Sequence, residues 1–337
     1  MSKLKKIIIF AIIVLIAAGQ VWGQQRRTIT IRLASIAPEA TPWGDALNRM
    51  AAEWSRVTNG EVELVVFHGG VAGDEAEALR KLRLNQIQAA VFTAQGLKTV
   101  MPETMVISYP LLIRNDAELD EVLSKIRPEL DARIANNGFV TLAWSRGGWV
   151  QIFSKNQVFT PNEVRSQRMG TNPDDQEFIQ AFRAMGYRMV PVSMNDLLVS
   201  LNSGMIDATY MSPVMMAAGQ LFASANNMLD MNLAPFMGGI LMNQTAWRRI
   251  PERYRPQLMA ISKRIESEID ASISRLEAEA ISAMTRHGLR VNRPSPAQLQ
   301  EWQAEIDRYE NALAGPIFDR ALYLKIKGIL EEYRKGR

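Results

Sequence analysis

Strand and helix signals alternate twice along this chain, and that alternation restricts it to sheets covered by helices. Thr28 to Leu33 reads as a strand. Thr41-Pro42 then opens a helix, with Thr41 as N-cap and Pro42 at the first helical position, where a missing N–H costs nothing. Trp43, Ala46, Leu47, Met50, Ala51, Trp54 and Val57 keep one helical face until Asn59-Gly60 ends it. A strand at Val62–Phe67, a helix from about Asp74 to Asn85 and a strand near Ala89–Phe92 complete a β-α-β-α-β run. The same order returns as Gln167–Met169, Asp174–Met185, Arg188–Val192, Asn195–Asn202 and Met205–Thr209. Parallel strands need helical crossovers, so each run predicts an α/β unit. Two such units predict two lobes rather than one continuous sheet.

The longest helical signal lies between Pro251 and His287. Leu258, Ile261, Ile265, Ile269, Ile273, Leu276, Ala280 and Met284 recur at steps of three and four, with polar residues on the other faces. The stripe covers roughly 40 Å at the usual rise per residue. It is one-sided and has no comparable partner helix, so it reads as a brace touching both lobes rather than a coiled-coil arm. Ser295 and Gln298 match a capping box, ahead of Leu299, Trp302, Ile306 and Tyr309 on one side. Ala321–Tyr333 supplies a last amphipathic segment.

The N-terminus addresses the chain out of the cytoplasm. Lys3, Lys5 and Lys6 precede an apolar run from Ile7 to Ala18, and Val21-Trp22-Gly23 forms a cleavage site. Cleavage after Gly23 defines residues 1–23 as a signal peptide and a periplasmic mature protein of 314 residues. The bulk of Trp22 leaves an uncleaved anchor as the alternative. There is no cysteine, which excludes disulfides, thiolate metal sites and a cysteine nucleophile. Of 39 basic residues the leader takes three, leaving 36 against 35 acidic ones and no basic block. Nucleic acid is therefore not an expected partner. No second apolar run approaches membrane-spanning length, and neither cofactor nor metal is expected.

Signs of catalysis are sparse. The two histidines, His68 and His287, are far apart, and His287 sits where it would end the long helix. No nucleophile-elbow, zinc-helix or dinucleotide-loop motif occurs. Asp174-Asp175 reads as an acidic pair favoured by a helix N-terminus. Carboxylates distant in sequence keep a hydrolase open as an alternative. Methionines cluster from Met205 to Met216, and the segment Trp144-Ser145-Arg146-Gly147-Gly148-Trp149 reads as a glycine-bent loop carrying two indoles and a guanidinium.

Several segments in order resemble the DctP-type solute-binding proteins of tripartite ATP-independent periplasmic (TRAP) transporters. LASIAPEATPWGDAL and EWSRVTNGEVELVVFHGG resemble the family's opening strand, helix and second strand; FTPNEVRSQRMG resembles its P-x-D-L-K-G-L-K-I-R segment. VPVSMNDLLVSLNSGMIDATYMSP and MNQTAWRRIPE are similar to two later stretches. The resemblance implies non-catalytic capture of a small solute between two α/β lobes joined by crossing strands and a long helix. Delivery to the transporter's membrane subunits follows, and some relatives work with a helical-repeat periplasmic protein instead. One lobe is expected over 28–146 and 233–257, the other over 147–232 and 288–330, with 258–287 bridging them.

Departures from the family pattern shape the ligand expectation. Gly170 stands where the family usually has the arginine that pairs with a substrate carboxylate, and Met211-Ser212 replaces a polar pair. These exchanges predict a ligand more apolar than a dicarboxylate, an atypical feature for the family. The alternative is an organic acid read by Arg146 or Arg168. A structural module that has lost its ligand also stays open. The expected cleft residues are Trp43, His68, Gln95, Arg146, Trp149, Asn172, Met211 and Phe236.

Overall fold

The computed structural model describes residues 28–173 and 175–336; the export leader and Asp174 lie outside the described residues. The first run folds as β1 (Ile29–Ala34), α1 (Pro42–Val57), β2 (Val62–Phe67), α2 (Glu75–Arg83), β3 (Ala89–Thr93) and α3 (Ala94–Val100). The caps are those the sequence announces: Thr41 Oγ1 accepts from Gly44 N at 3.2 Å and Asp74 from Glu77 N at 2.8 Å. The strands pair in parallel in the order β2-β1-β3. There follow α4 (Asp116–Asn136) and the long strand β4 (Phe139–Ser154).

The second run comprises α5 (Pro161–Arg165), β5 (Arg168–Thr171), α6 (Gln176–Ala184), β6 (Arg188–Pro191), α7 (Leu197–Ser203), β7 (Ala208–Met211) and α8 (Pro213–Ala218). Strand β8 (Asn227–Asn243) then returns to the first lobe, followed by α9 (Gln244–Arg249) and α10 (Arg255–Arg286). The chain ends with β9 (Arg290–Asn292), α11 (Pro296–Arg308), α12 (Glu310–Leu313) and α13 (Arg320–Lys335). The predicted capping box at Ser295 and Gln298 is present, and His287 is the C-cap of α10.

The two units do not own separate sheets. The hydrogen-bonded path is continuous, β2-β1-β3-β8-β4-β7-β5-β6, with β9 on β8. The reason is that β4 and β8 are long enough to serve both lobes. One end of β8 pairs with β3 over Gly238–Met242, and the far end of β4 pairs with β7 over Gln151–Ser154. The segment expected as a loop, Trp144 to Trp149, lies within β4. Helix α10 packs on α1, β4 and α8, so it braces both lobes. Its stripe joins Met50, Trp54 and Leu142 in the core of the first lobe. Each such fully buried apolar side chain stabilises the fold by roughly 1.5–3 kcal/mol. In the second lobe Phe153, Leu201, Ile206 and Met216 form the corresponding core. Helix α13 lies along α4, with Arg334 bound to Glu118 at 2.7 Å.

Candidate functional site

Between the two lobes the sheet narrows to a neck of two strands. Residues Arg146–Trp149 of β4 and Pro235–Met237 of β8 have only each other, since β3 reaches Gly238 and β7 starts at Gln151. The register also slips there, from Arg146↔Met237 to Trp149↔Pro235, which leaves one extra residue on β4. Gly147 and Gly148 fill this bulge, and Gly148 has φ +89°. Irregularities in the β4–β8 register, here and between Thr141 and Ala143, disturb the ladder, and carboxylates of α10 take up neighbouring backbone N–H groups. Glu266 accepts from Trp144 N at 3.1 Å and Glu277 accepts from Trp149 N at 2.7 Å.

Two largely apolar cavities flank this ribbon. One, of about 160 Å³, lies mostly in the first lobe against the ends of β1 and β3, where Ser35, Trp43, Thr93, Gly147 and Phe236 line it and Met215 of α8 reaches it from the second lobe. The other, of about 130 Å³, spans the lobes and is lined by Gln95, Val150, Met169, Asp175, Tyr210 and Leu233, among others. Gln95, Asp175 and Tyr210 of this lining belong to a polar constellation that joins the lobes. Gln95 Nε2 and Lys98 Nζ on α3 both donate to the carboxylate of Asp175, each at 2.9 Å. Asp175 is buried, and Lys98 is also 3.6 Å from Glu177. Thr171 at the end of β5 shares a 2.7 Å hydrogen bond with the hydroxyl of Tyr210 on β7. Burial pushes that phenol up to about 12, so it keeps its proton.

The residues singled out by sequence divide among these features. Trp43 and Phe236 share the first-lobe cavity, with the Trp43 indole N–H 3.4 Å from the carbonyl of Arg146. Gln95 lies in the interlobe cavity. Arg146 lines a third, polar hollow, where it pairs with Asp120 and lies 3.4 Å from Asp270. Trp149 is buried beneath the neck, its indole N–H donating to Asp116 at 3.0 Å. His68 lines none of the three cavities and bonds Asn48 at 2.9 Å. Asn172 follows β5 as expected, and its carbonyl accepts from Asp175 N at 3.3 Å. Arg168 grips Asp207 through two 2.7 Å bonds at the opposite end of β5. That hydrogen bonding holds the Asp207 carboxyl below its usual range.

Sequence reasoning passed over Lys98, although it follows Gln95 by three residues and so shares its helix face. Asp175 is the helix-terminal acid that the sequence suggests, the N-cap residue of α6. In the fold the Asp175 side chain makes no cap hydrogen bond and serves the opposite lobe. Among the described residues no cluster of His, Asp and Glu could hold a metal ion.

The geometry removes both supports of the apolar-ligand expectation. A side chain at Gly170 would enter the second-lobe core, its Cβ 2.7 Å from Ile206 Cδ1 and 3.4 Å from Leu197 Cδ2. Glycine there therefore tells nothing about a partner for a carboxylate in the cleft. Met211 is buried in the same core with Phe153 and Met216 and lines none of the three cavities.

Comparison with known proteins gives the same correction. A solute-binding protein from Chromohalobacter salexigens is 25% identical over 175 residues, which cover 51% of this chain and 52% of that protein. The match thus spans about half the length of that relative. Two solved structures agree over nearly their whole length. A TRAP periplasmic solute-binding protein from Ralstonia eutropha H16 with bound (S)-2-acetolactate has a TM-score of 0.81 at 19% identity, covering 90% of this chain and 99% of that one. One from Xanthobacter autotrophicus Py2 with bound β-D-galacturonate has a TM-score of 0.77 at 20% identity, covering 88% and 99%. Both of those ligands are polar carboxylates, so the expectation of a hydrophobic ligand is overturned. The model of the DctP family, bacterial extracellular solute-binding protein family 7, matches residues 33–314. The chain belongs to that family, as a periplasmic solute-binding protein.

Proposed function

We propose that this protein captures a small organic acid between its lobes and delivers it to the membrane subunits of a TRAP transporter. The observation that carries the reading is the convergence of Lys98 and Gln95 on one carboxylate, Asp175, across the lobe boundary. A group that receives a carboxylate from the facing lobe has the charge and donor geometry to receive one from a solute. A buried carboxylate without such donors is costly, and Arg146 and Arg168 are both committed to aspartates. Gln95 is proposed as a second donor, and Trp43 and Phe236 as walls on the first-lobe side. The closing bodies are taken as 28–146 with 233–257 and 147–232 with 288–330, bridged by 258–287. A helical-repeat periplasmic protein is the finer part of the partner proposal, tested by co-purification of the two from periplasmic extract.

Calorimetric titration with D-galacturonate, D-glucuronate, L-malate and orotate tests the reading. At least one acid should bind, and Lys98→Met should weaken it by tenfold or more, about 1.4 kcal/mol or above. Absence of binding by all four, or an unchanged affinity in Lys98→Met, would reject Lys98 as the acid's partner.

A further inference from the structure

The neck between the lobes is held from outside the sheet by one buried acid. Glu277 points from α10 into the bulge of β4, where its Oε1 accepts from Trp149 N at 2.7 Å. A Cβ on Gly148 would collide with this carboxylate, so glycine is required there for contact as well as for its φ of +89°. Strands β4 and β8 and helix α10 run from one lobe into the other, and this hydrogen bond ties β4 to α10 at the narrowest point. The charges around it are few. Asp116 of α4 faces it, held by the Trp149 indole at 3.0 Å and by Ser274 Oγ at 3.1 Å. Helix α8, also packed on α10, carries no titratable residue. Asp270, Arg146, Glu266 and Arg127 lie further along the same interface and are bound to one another or to Asp120.

We propose that Glu277 is a positioning residue of the lobe hinge, whose protonated carboxyl favours the closed arrangement and whose ionised form favours opening. The proposal deepens the lobe-closure part of the function above, and its test needs no solute. Burial pushes the Glu277 carboxyl up to about 7, and Asp116 adds to the rise while the Trp149 hydrogen bond opposes it. Asp270 is raised to about 6, chiefly by burial and against Arg146. The sign follows from linkage. A carboxyl that holds its proton more tightly when the neck is closed stabilises closure at low pH. That stabilisation is lost as pH rises through about 7. Opening that brings water to Glu277 returns it toward the ordinary carboxylate range.

The chain has no cysteine, so two spin labels can be placed without interference. Val71 and Val199, strongly exposed on different lobes, are suitable positions. Pulsed electron resonance on Val71→Cys/Val199→Cys should show the ratio of short to long interlobe distances falling about tenfold between pH 6 and pH 8. Adding Glu277→Gln, which keeps an acceptor oxygen and cannot ionise, should hold the short distance across that range. A distance distribution independent of pH in the parent, or a Glu277→Gln curve that follows the parent, would overturn the proposal. Asp116→Asn supplies a second check: it should move the midpoint to lower pH, and an unmoved or raised midpoint counts against the hinge assignment.

Discussion

Glycines decide more of this site than the aromatic residues around them. At Gly148 a positive φ and a carboxylate directly above the α-carbon act together. At Gly60 the φ is +75° but nothing lies within 4 Å of an added Cβ. Gly60→Ala should therefore cost about 1–2 kcal/mol, for the backbone conformation alone. Gly148→Ala should cost about 2–4 kcal/mol, because Glu277 or the bulge must also move. Urea unfolding of the two variants measures the difference, and equal losses would show that Glu277 yields freely. Gly170 teaches the opposite lesson. Its alignment position promised a missing cleft arginine, yet its α-carbon faces Ile206 and Leu197. The direction of a side chain on a four-residue strand is set by packing, which an alignment of residue types does not contain.

Elements with one buried face were readable, and those with two were not. α1 and α11 announce themselves by cap residues and a one-sided apolar stripe, and α10 by its stripe alone. β4 and β8 are buried on both sides over much of their length, so neither shows alternation, and the glycines of β4 read as a loop. α4 has the stripe Leu119, Val122, Ile126, Leu130 and Ile134 but carries Pro128 inside it, which hides the helix. The cleft contact at Gln95 was visible because it follows a strand end. The place of Asp175 at the start of α6 was visible too, but its partner Lys98 was not, because it lies 77 residues away. At this scale Glu266 is the most exacting group on α10. It receives Arg127 at 2.5 and 2.8 Å and Trp144 N at 3.1 Å, while largely shielded from water. Glu266→Ala strands a guanidinium and an amide at once and should destabilise by about 3–5 kcal/mol. Chemical denaturation checks this, and a loss below 1 kcal/mol would mean that water replaces the carboxylate.

For the whole molecule, interleaving matters more than the presence of two lobes. The lobes share β4, β8 and α10 and a single hydrogen-bonded strand path. Such sharing predicts one cooperative unfolding transition, with calorimetric and van't Hoff enthalpies in agreement. Two resolved heat-absorption peaks would show that the neck uncouples the lobes before either melts.

The order in which these pieces appear along the chain sets when folding can finish. The first lobe begins at Ile29, but the strand that fills its sheet beside β3 is the last part of β8, ending at Asn243. The second lobe in turn depends on α10 and on β9, which pairs with β8 beyond it. A chain delivered N-terminus first across a membrane thus presents no completed domain until most of it has passed. Long-range pairing of this kind also slows folding once the segments are present. The interleaved topology that gives the receptor its hinge therefore also acts as a timer, keeping the chain thread-like during secretion and letting it become a receptor after arrival.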